Sequence, residues 1–140
     1  MLCYTSEPLR ADIEVVGNVA ADLYVRSSRE HTDFFARLCD VDQAGRSVNI
    51  CDALVRLAPG APPPAADGVI SIRIELWPTA HRFAAGHRIR LQVSSGAHPR
   101  YSRNPGTGDP LATATALVAA HQDVYHDPDH PSAISLPATS

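Results

Sequence analysis

Three stretches of the chain carry side chains of types that do chemistry. In GHRIRLQVSSGAHPRYSRNPGTG, residues 86 to 108, Ser94, Ser95 and His98 stand just ahead of Asp109, the residue types of a nucleophile, a base and an orienting acid. In HQDVYHDPDH, residues 121 to 130, His121, His126 and His130 cluster with Asp123, Asp127 and Asp129, donors of the kind that hold a metal ion. Arg100, Tyr101 and Arg103, with Trp77 further upstream, offer guanidinium forks and aromatic faces suited to a carboxylate or a sugar.

Each constellation also has a plainer reading. Acyl transfer by serine needs the nucleophile on a sharp strand-to-helix turn beside backbone oxyanion donors, the GxSxG pattern, and the chain has none. Gly45-Arg46-Ser47-Val48-Asn49 comes nearest but lacks the second glycine and leads into a strand, so Ser47 reads as a turn residue. Ser94 and Ser95 close a strand, and Pro99 forces His98 into an extended turn. Pro128 lies between His126 and His130 and disfavours the helical face that an HExxH-type metal site requires. Arg103 and Asn104 are suited to tying down a long loop, and a lone Trp77 ahead of Pro78 is expected in the core at the end of its strand. These readings call for no catalytic residue, metal or cofactor. They leave Trp77, His98, Arg100, Tyr101 and Arg103 as ligand or interface contacts.

The elements that must position these residues are strands. In VISIRIEL, Ile70, Ile72, Ile74 and Leu76 share a face opposite Ser71, Arg73 and Glu75. HRIRLQVSS repeats the pattern, with Ile89, Leu91 and Val93 inward and Arg88, Arg90 and Gln92 toward water. Weaker alternation in ADIEVVG, AADLYVRSS, TDFFARLCDVD, RSVNICDALVRL, ALVAAHQDVYHD and SAISLP brings the total to about eight short strands. Gly17-Asn18, Gln43-Ala44-Gly45, Ala85-Gly86 and Asn104-Pro105-Gly106 read as the turns between them. The apolar phase of NICDALVRL changes around Cys51-Asp52-Ala53, which predicts a bulge. APGAPPPAADG, residues 58 to 68, reads as a stiff surface loop within one domain spanning residues 1 to 140. Many short strands without a helical period predict an all-β, two-sheet sandwich of jelly-roll type.

Composition limits the partners. A net charge of -3 with interspersed signs supplies no basic stripe for nucleic acid or an anionic membrane. The apolar runs fall far short of the roughly 20 residues that cross a bilayer, and MLCYTSEPLR lacks the regions of a signal peptide. Cys3, Cys39 and Cys51 are odd in number and not spaced as CxxC. They read as buried or half-buried free thiols in a reducing, cytoplasmic setting.

Taken in order, LCYTSEPL (2 to 9), DIEVVGNV (12 to 19), TDFFARLCDVDQAGRS (32 to 47), IELWPTAHRFAAGHRIRLQVSS (74 to 95), PRYSRNPGTG (99 to 108) and HPSAISLP (130 to 137) give the chain a family likeness. It resembles the C-terminal β-domain of the X-Pro dipeptidyl-peptidase family, which includes cocaine esterase-like and α-amino-acid ester hydrolases. The resemblance implies a jelly-roll, galactose-binding-like sandwich packed beside an α/β-hydrolase catalytic domain, in the same chain or in trans, that keeps the Ser-Asp-His triad. It also implies that the first strand or strands of the sandwich precede LCYTSEPL, leaving an edge through which the chain could form a homo-oligomer. Where relatives often read SNFP, Gly96-Ala97-His98-Pro99 keeps the turn and removes an aromatic. The alternative is a free-standing ligand- or carbohydrate-binding module, which rests on fold analogy.

Overall fold

Alternating apolar and polar residues become strands wherever one face can be buried, and here almost every strand does so. The computed structural model describes residues 1–28, 31–59, 67–95 and 122–139. Its strands are β1 (Leu2–Thr5), β2 (Ile13–Ser27), β3 (Thr32–Val41), β4 (Ser47–Leu57), β5 (Ile70–Phe83), β6 (Arg88–Ser94), β7 (Gln122–Tyr125), β8 (Ala133–Ser135) and β9 (Ala138–Thr139). Among the described residues there is no helix. One sheet has the order β1-β6-β3-β4; in the other β2 pairs with β5 on one side and with β7, β8 and β9 along the other. All pairings are antiparallel. The fold is therefore an all-β sandwich.

The core lies between the sheets. Phe34, Ala36 and Leu38 of β3 with Leu91 and Val93 of β6 meet Val15, Val19, Ala21, Leu23 and Val25 of β2 and Ile72, Ile74, Leu76 and Phe83 of β5. The residues read as inward on VISIRIEL face inward here, and Ser71, Arg73 and Glu75 are exposed. The outer face of β3 is buried too: Asp33, Phe35, Cys39 and Val41 are almost inaccessible. Two cross-strand ion pairs to β4 neutralise charge on that face, Asp33 with Arg56 at 2.8 Å and Asp52 with Arg37 at 3.3 Å.

Two bulges adjust the pattern. Leu38 pairs with Cys51 and Cys39 with Asn49, so Ile50 is the extra residue on β4, just ahead of the phase change seen in the sequence. Gly17 pairs with Thr79 and Val19 with Leu76, which sets Asn18 alone against Trp77 and Pro78. Gly17-Asn18 is thus not a turn between two strands: β2 runs straight through it, with Gly17 at φ +123° and the Pro137 ring where a β-carbon would touch it. A proline inside the long β5 is tolerated because β5 is an edge strand and a bulge needs no ladder hydrogen bond there.

The extra residue on β5 has a further effect. It reverses the strand's parity, so the inward positions 72, 74 and 76 are followed by 81 and 83.

The turns at 42–46 and 84–87 fall where expected, closed by Gly45 N–H to Asp42 O at 3.0 Å and His87 N–H to Ala84 O at 3.0 Å. Arg88, Arg90 and Gln92 are half-buried and do not stand free in water, because β6 is flanked by β1 and β3. Arg88 donates to the Ser6 carbonyl at 3.1 Å and Arg90 to Thr5 Oγ1 at 2.9 Å. Most of the proline-rich stretch and the Asn104-Pro105-Gly106 turn lie outside the described residues.

Candidate functional site

His98, Arg100, Tyr101, Arg103, Asp109 and His121 also lie outside the described residues. Of the apparent triad, Ser94 ends β6 opposite Phe35, and Ser95 follows it on the surface. Ser47 is the exposed first residue of β4. Cys39 is buried and Cys51 half-buried as expected, but Cys3 is exposed, on a strand that among the described residues has a neighbour on one side only. Burial raises the Cys39 thiol and pushes Cys51 up to about 11, with Asp52 adding to the latter, so neither is poised as a thiolate nucleophile.

A constellation absent from the sequence reading appears at one end of the sandwich. Asp40 of β3 faces inward and is 7% exposed. Its Oδ2 accepts from His81 Nε2 at 2.8 Å and its Oδ1 from His87 Nδ1 at 2.7 Å. His81 reaches this position because the Trp77-Pro78 bulge turned β5 by one residue, and its ring sits edge-on to Phe83 at 4.7 Å. One carboxylate therefore ties β3 to β5 and to the β5–β6 turn. The signal was Pro78 inside an otherwise unbroken run, which marks a bulge and reverses the expected facing of every later residue.

His130 shows the inverse arrangement. Its Nε2 lies 2.9 Å from Asp67 Oδ2 and its Nδ1 lies 3.0 Å from Asp127 Oδ1. Asp127 also accepts from the backbone N–H groups of Asp129 and His130, which builds the turn around Pro128. His126 diverges from His130 and packs edge-on to Tyr4 at 5.6 Å. Among the described residues, no group of three or more His, Cys, Asp or Glu side chains is placed to hold a metal ion.

Trp77 is 67% exposed, contrary to its expected place in the core. The strand does not end there, and Trp77 continues the outward parity of Ser71, Arg73 and Glu75, which puts the indole on the outer face. It lines a hollow of about 240 Å³ with Asn18, Glu75, Leu76 and Pro78.

A second, apolar opening lies between the sheets. A groove of about 420 Å³ runs between Tyr4, Ile89 and Leu91 on one side and Leu23, Val124, Ile134 and Leu136 on the other. Here β1 borders the first sheet, and among the described residues it pairs only with β6. Leu2 shares its register face with Tyr4 yet is 44% exposed, because nothing described covers it. Tyr4 is buried enough to raise its phenol above the usual range.

Among the described residues, an open sheet border thus stands beside an apolar groove. The sequence matches the X-Pro dipeptidyl-peptidase C-terminal non-catalytic domain over residues 1–135. The chain belongs to that family. As an X-Pro dipeptidyl-peptidase C-terminal domain it is 38% identical to the cocaine esterase of Rhodococcus sp. (strain MB1 Bresler) over 144 aligned residues, covering 98% of this chain and 25% of the esterase. Its fold superposes on an α-amino acid ester hydrolase with a TM-score of 0.87 at 28% identity, covering 99% of this chain and 25% of the hydrolase. An aminopeptidase from the marine sediment archaeon Thaumarchaeota archaeon gives a TM-score of 0.86 at 28% identity, covering 99% of this chain and 26% of that one. This non-catalytic domain thus spans about a quarter of the length of the relatives it matches.

Proposed function

We propose that the domain buttresses the catalytic part of a serine hydrolase. It packs beside an α/β-hydrolase domain, in the same chain or in trans, and helps to wall that domain's substrate cleft. Cleavage of ester or X-Pro amide bonds is then the work of the catalytic domain alone. The observation that carries this reading is that an all-strand, non-catalytic unit corresponds to one quarter of each of several hydrolases. The open border of β1 and the groove beside it supply the place where further strands of the hydrolase would complete a jelly roll. In the absence of such strands, the same border pairs two copies into a homo-oligomer. The free thiols of Cys39 and Cys51 suit a reducing compartment such as the cytoplasm.

The test combines labelling, kinetics and sedimentation. The 140-residue chain alone is expected to take up no fluorophosphonate probe and to self-associate with rising concentration. A matching catalytic domain is expected to hydrolyse activated esters faster and for longer when the chain is supplied. Covalent labelling of a serine in the isolated chain would overturn the reading.

One observation favours a second reading, a module that binds a neutral polyhydroxylated ligand such as a sugar. The exposed Trp77 face sits beside the Asn18 amide and the Glu75 carboxylate, whose charge is offset by Arg73 at 3.7 Å. Because Trp77 is the chain's single tryptophan, its fluorescence reports directly on this hollow. A saturable emission shift with mono- or disaccharides supports the module. Emission that stays flat removes it.

A further inference from the structure

We propose that residues 126–136 form a pH-sensitive strap along the apolar groove, fastened by His130 when its ring is charged and loosened when the ring loses a proton. Carboxylates only accept hydrogen bonds, so a ring nitrogen facing each of Asp67 and Asp127 must carry a proton. A neutral imidazole has one N–H; the other nitrogen would turn its lone pair toward a carboxylate. Only the imidazolium makes both bonds, and it ties the residue pair 127 and 130 to the segment entering β5.

The same segment walls the groove. His126, Ser132, Ala133, Ile134 and Leu136 line it. Beyond His130 the strap is held by Ser132, whose hydroxyl accepts from the Tyr24 backbone N–H at 2.9 Å and donates to the Tyr125 carbonyl. The β8 pairing that follows is only three residues long. Such short pairing leaves a segment at the low end of local stability, where an anchor at one end matters.

Around the ring stand two phenols and a cation that is itself paired. The Tyr24 ring of β2 lies 5.9 Å from the His130 ring and the Tyr125 ring of β7 lies 5.1 Å away. Arg26 of β2 stands over Tyr125 at 5.9 Å, with its charge paired to Asp123 at 3.4 Å, and Asp129 belongs to the same turn. In accord with the geometry, the bond to Asp67 and then that to Asp127 hold His130 above the usual histidine range. Asp67 is lowered by the bond from His130. At Asp127, the bonds from His130 and the turn's backbone outweigh a desolvation that acts the other way.

The sign follows from linkage. A group whose pKa is raised on folding contributes its stabilisation fully below its unfolded value, and that contribution is lost as pH rises through the folded value. Above the acid range in which Asp67 and Asp127 take up protons, the strap is therefore fully fastened up to about pH 6.5, and it loosens as pH rises through the higher value of the folded ring.

Hydrogen exchange of the 140-residue chain, corrected for intrinsic rates, tests this across about pH 6 to 9. Opening of amides in residues 130–136 is expected to rise about threefold to tenfold with pH, the scale that two half-exposed ion pairs supply. Amides of β3 serve as the unchanged reference. His130→Gln is expected to hold the strap open at every pH, and Asp67→Asn to move the transition down by about half a pH unit or more. The same pH-dependent opening in His130→Gln as in wild type would overturn the proposal. So would flat protection of 130–136 while the His130 ring resonance titrates.

Discussion

Asp40 and His130 are mirror images in composition and opposites in what they require. At Asp40 one carboxylate serves two imidazoles, and each ring needs a single N–H to complete its bond, so neutral tautomers suffice. At His130 one imidazole serves two carboxylates, and the bonds are complete only when the ring is charged. The Asp40 site sits inside the sandwich beside Phe83, where the two sheets close on one another. The His130 site sits at the open side, on the segment that borders the groove. The same residue types thus make a permanent tie at the closed end and a conditional one at the open side.

Four substitutions sharpen this contrast. Phe83→Ala empties a fully buried site at the closed end and is expected to cost about 3–5 kcal/mol in urea unfolding, against about 1–2 kcal/mol for Ile134→Ala on the half-open wall. Equal losses at the two positions would mean that the ends are packed alike. Asp40→Asn keeps the shape but sets an amide N–H against one of the two rings. We expect about 2–3 kcal/mol, read from the same unfolding curves, with the histidine resonances of both 81 and 87 displaced. A variant as stable as wild type would show that Asp40 ties nothing together. Gly86→Ala probes the turn that delivers His87. Its φ of +85° strains any β-carbon, while the nearby Gln43 amide is the tip of a flexible exposed side chain and can move, so about 1–2 kcal/mol is expected. A loss near that of Asp40→Asn would mean that the turn as a whole holds the tie.

Much of the sandwich was readable as sequence because burial on one face writes a two-residue period. Ile70, Ile72, Ile74 and Leu76 announced β5, and Leu91 and Val93 announced β6. What was not readable were departures from that period. Gly17-Asn18 carries turn chemistry, and only the pairing of β2 with β5 shows it serving as one side of a bulge. Pro78 looked like the end of a strand, and with that ending Trp77 was expected in the core and His81 was given no role. The inward place of His81 follows from the inserted residue, whereas Trp77 continues the outward parity of Ser71, Arg73 and Glu75 on a strand that runs on past it. Asp67 and His130 stand 63 positions apart, and no local pattern links them. Of the candidate ligand contacts, Trp77 lies among the described residues, and His98, Arg100, Tyr101 and Arg103 lie outside them.

The two bulges have a consequence for how the sandwich meets other chains. β4 and β5, the long outer borders, each carry an inserted residue, and β5 adds a proline that offers no amide hydrogen. A foreign strand laid along either one would lose step within a few residues. β1 pairs with β6 in unbroken step from Leu2 to Thr5, and its far side has the same regular spacing. The fold thereby discourages stacking into fibres along these two long rims and leaves β1 as a short border in regular step.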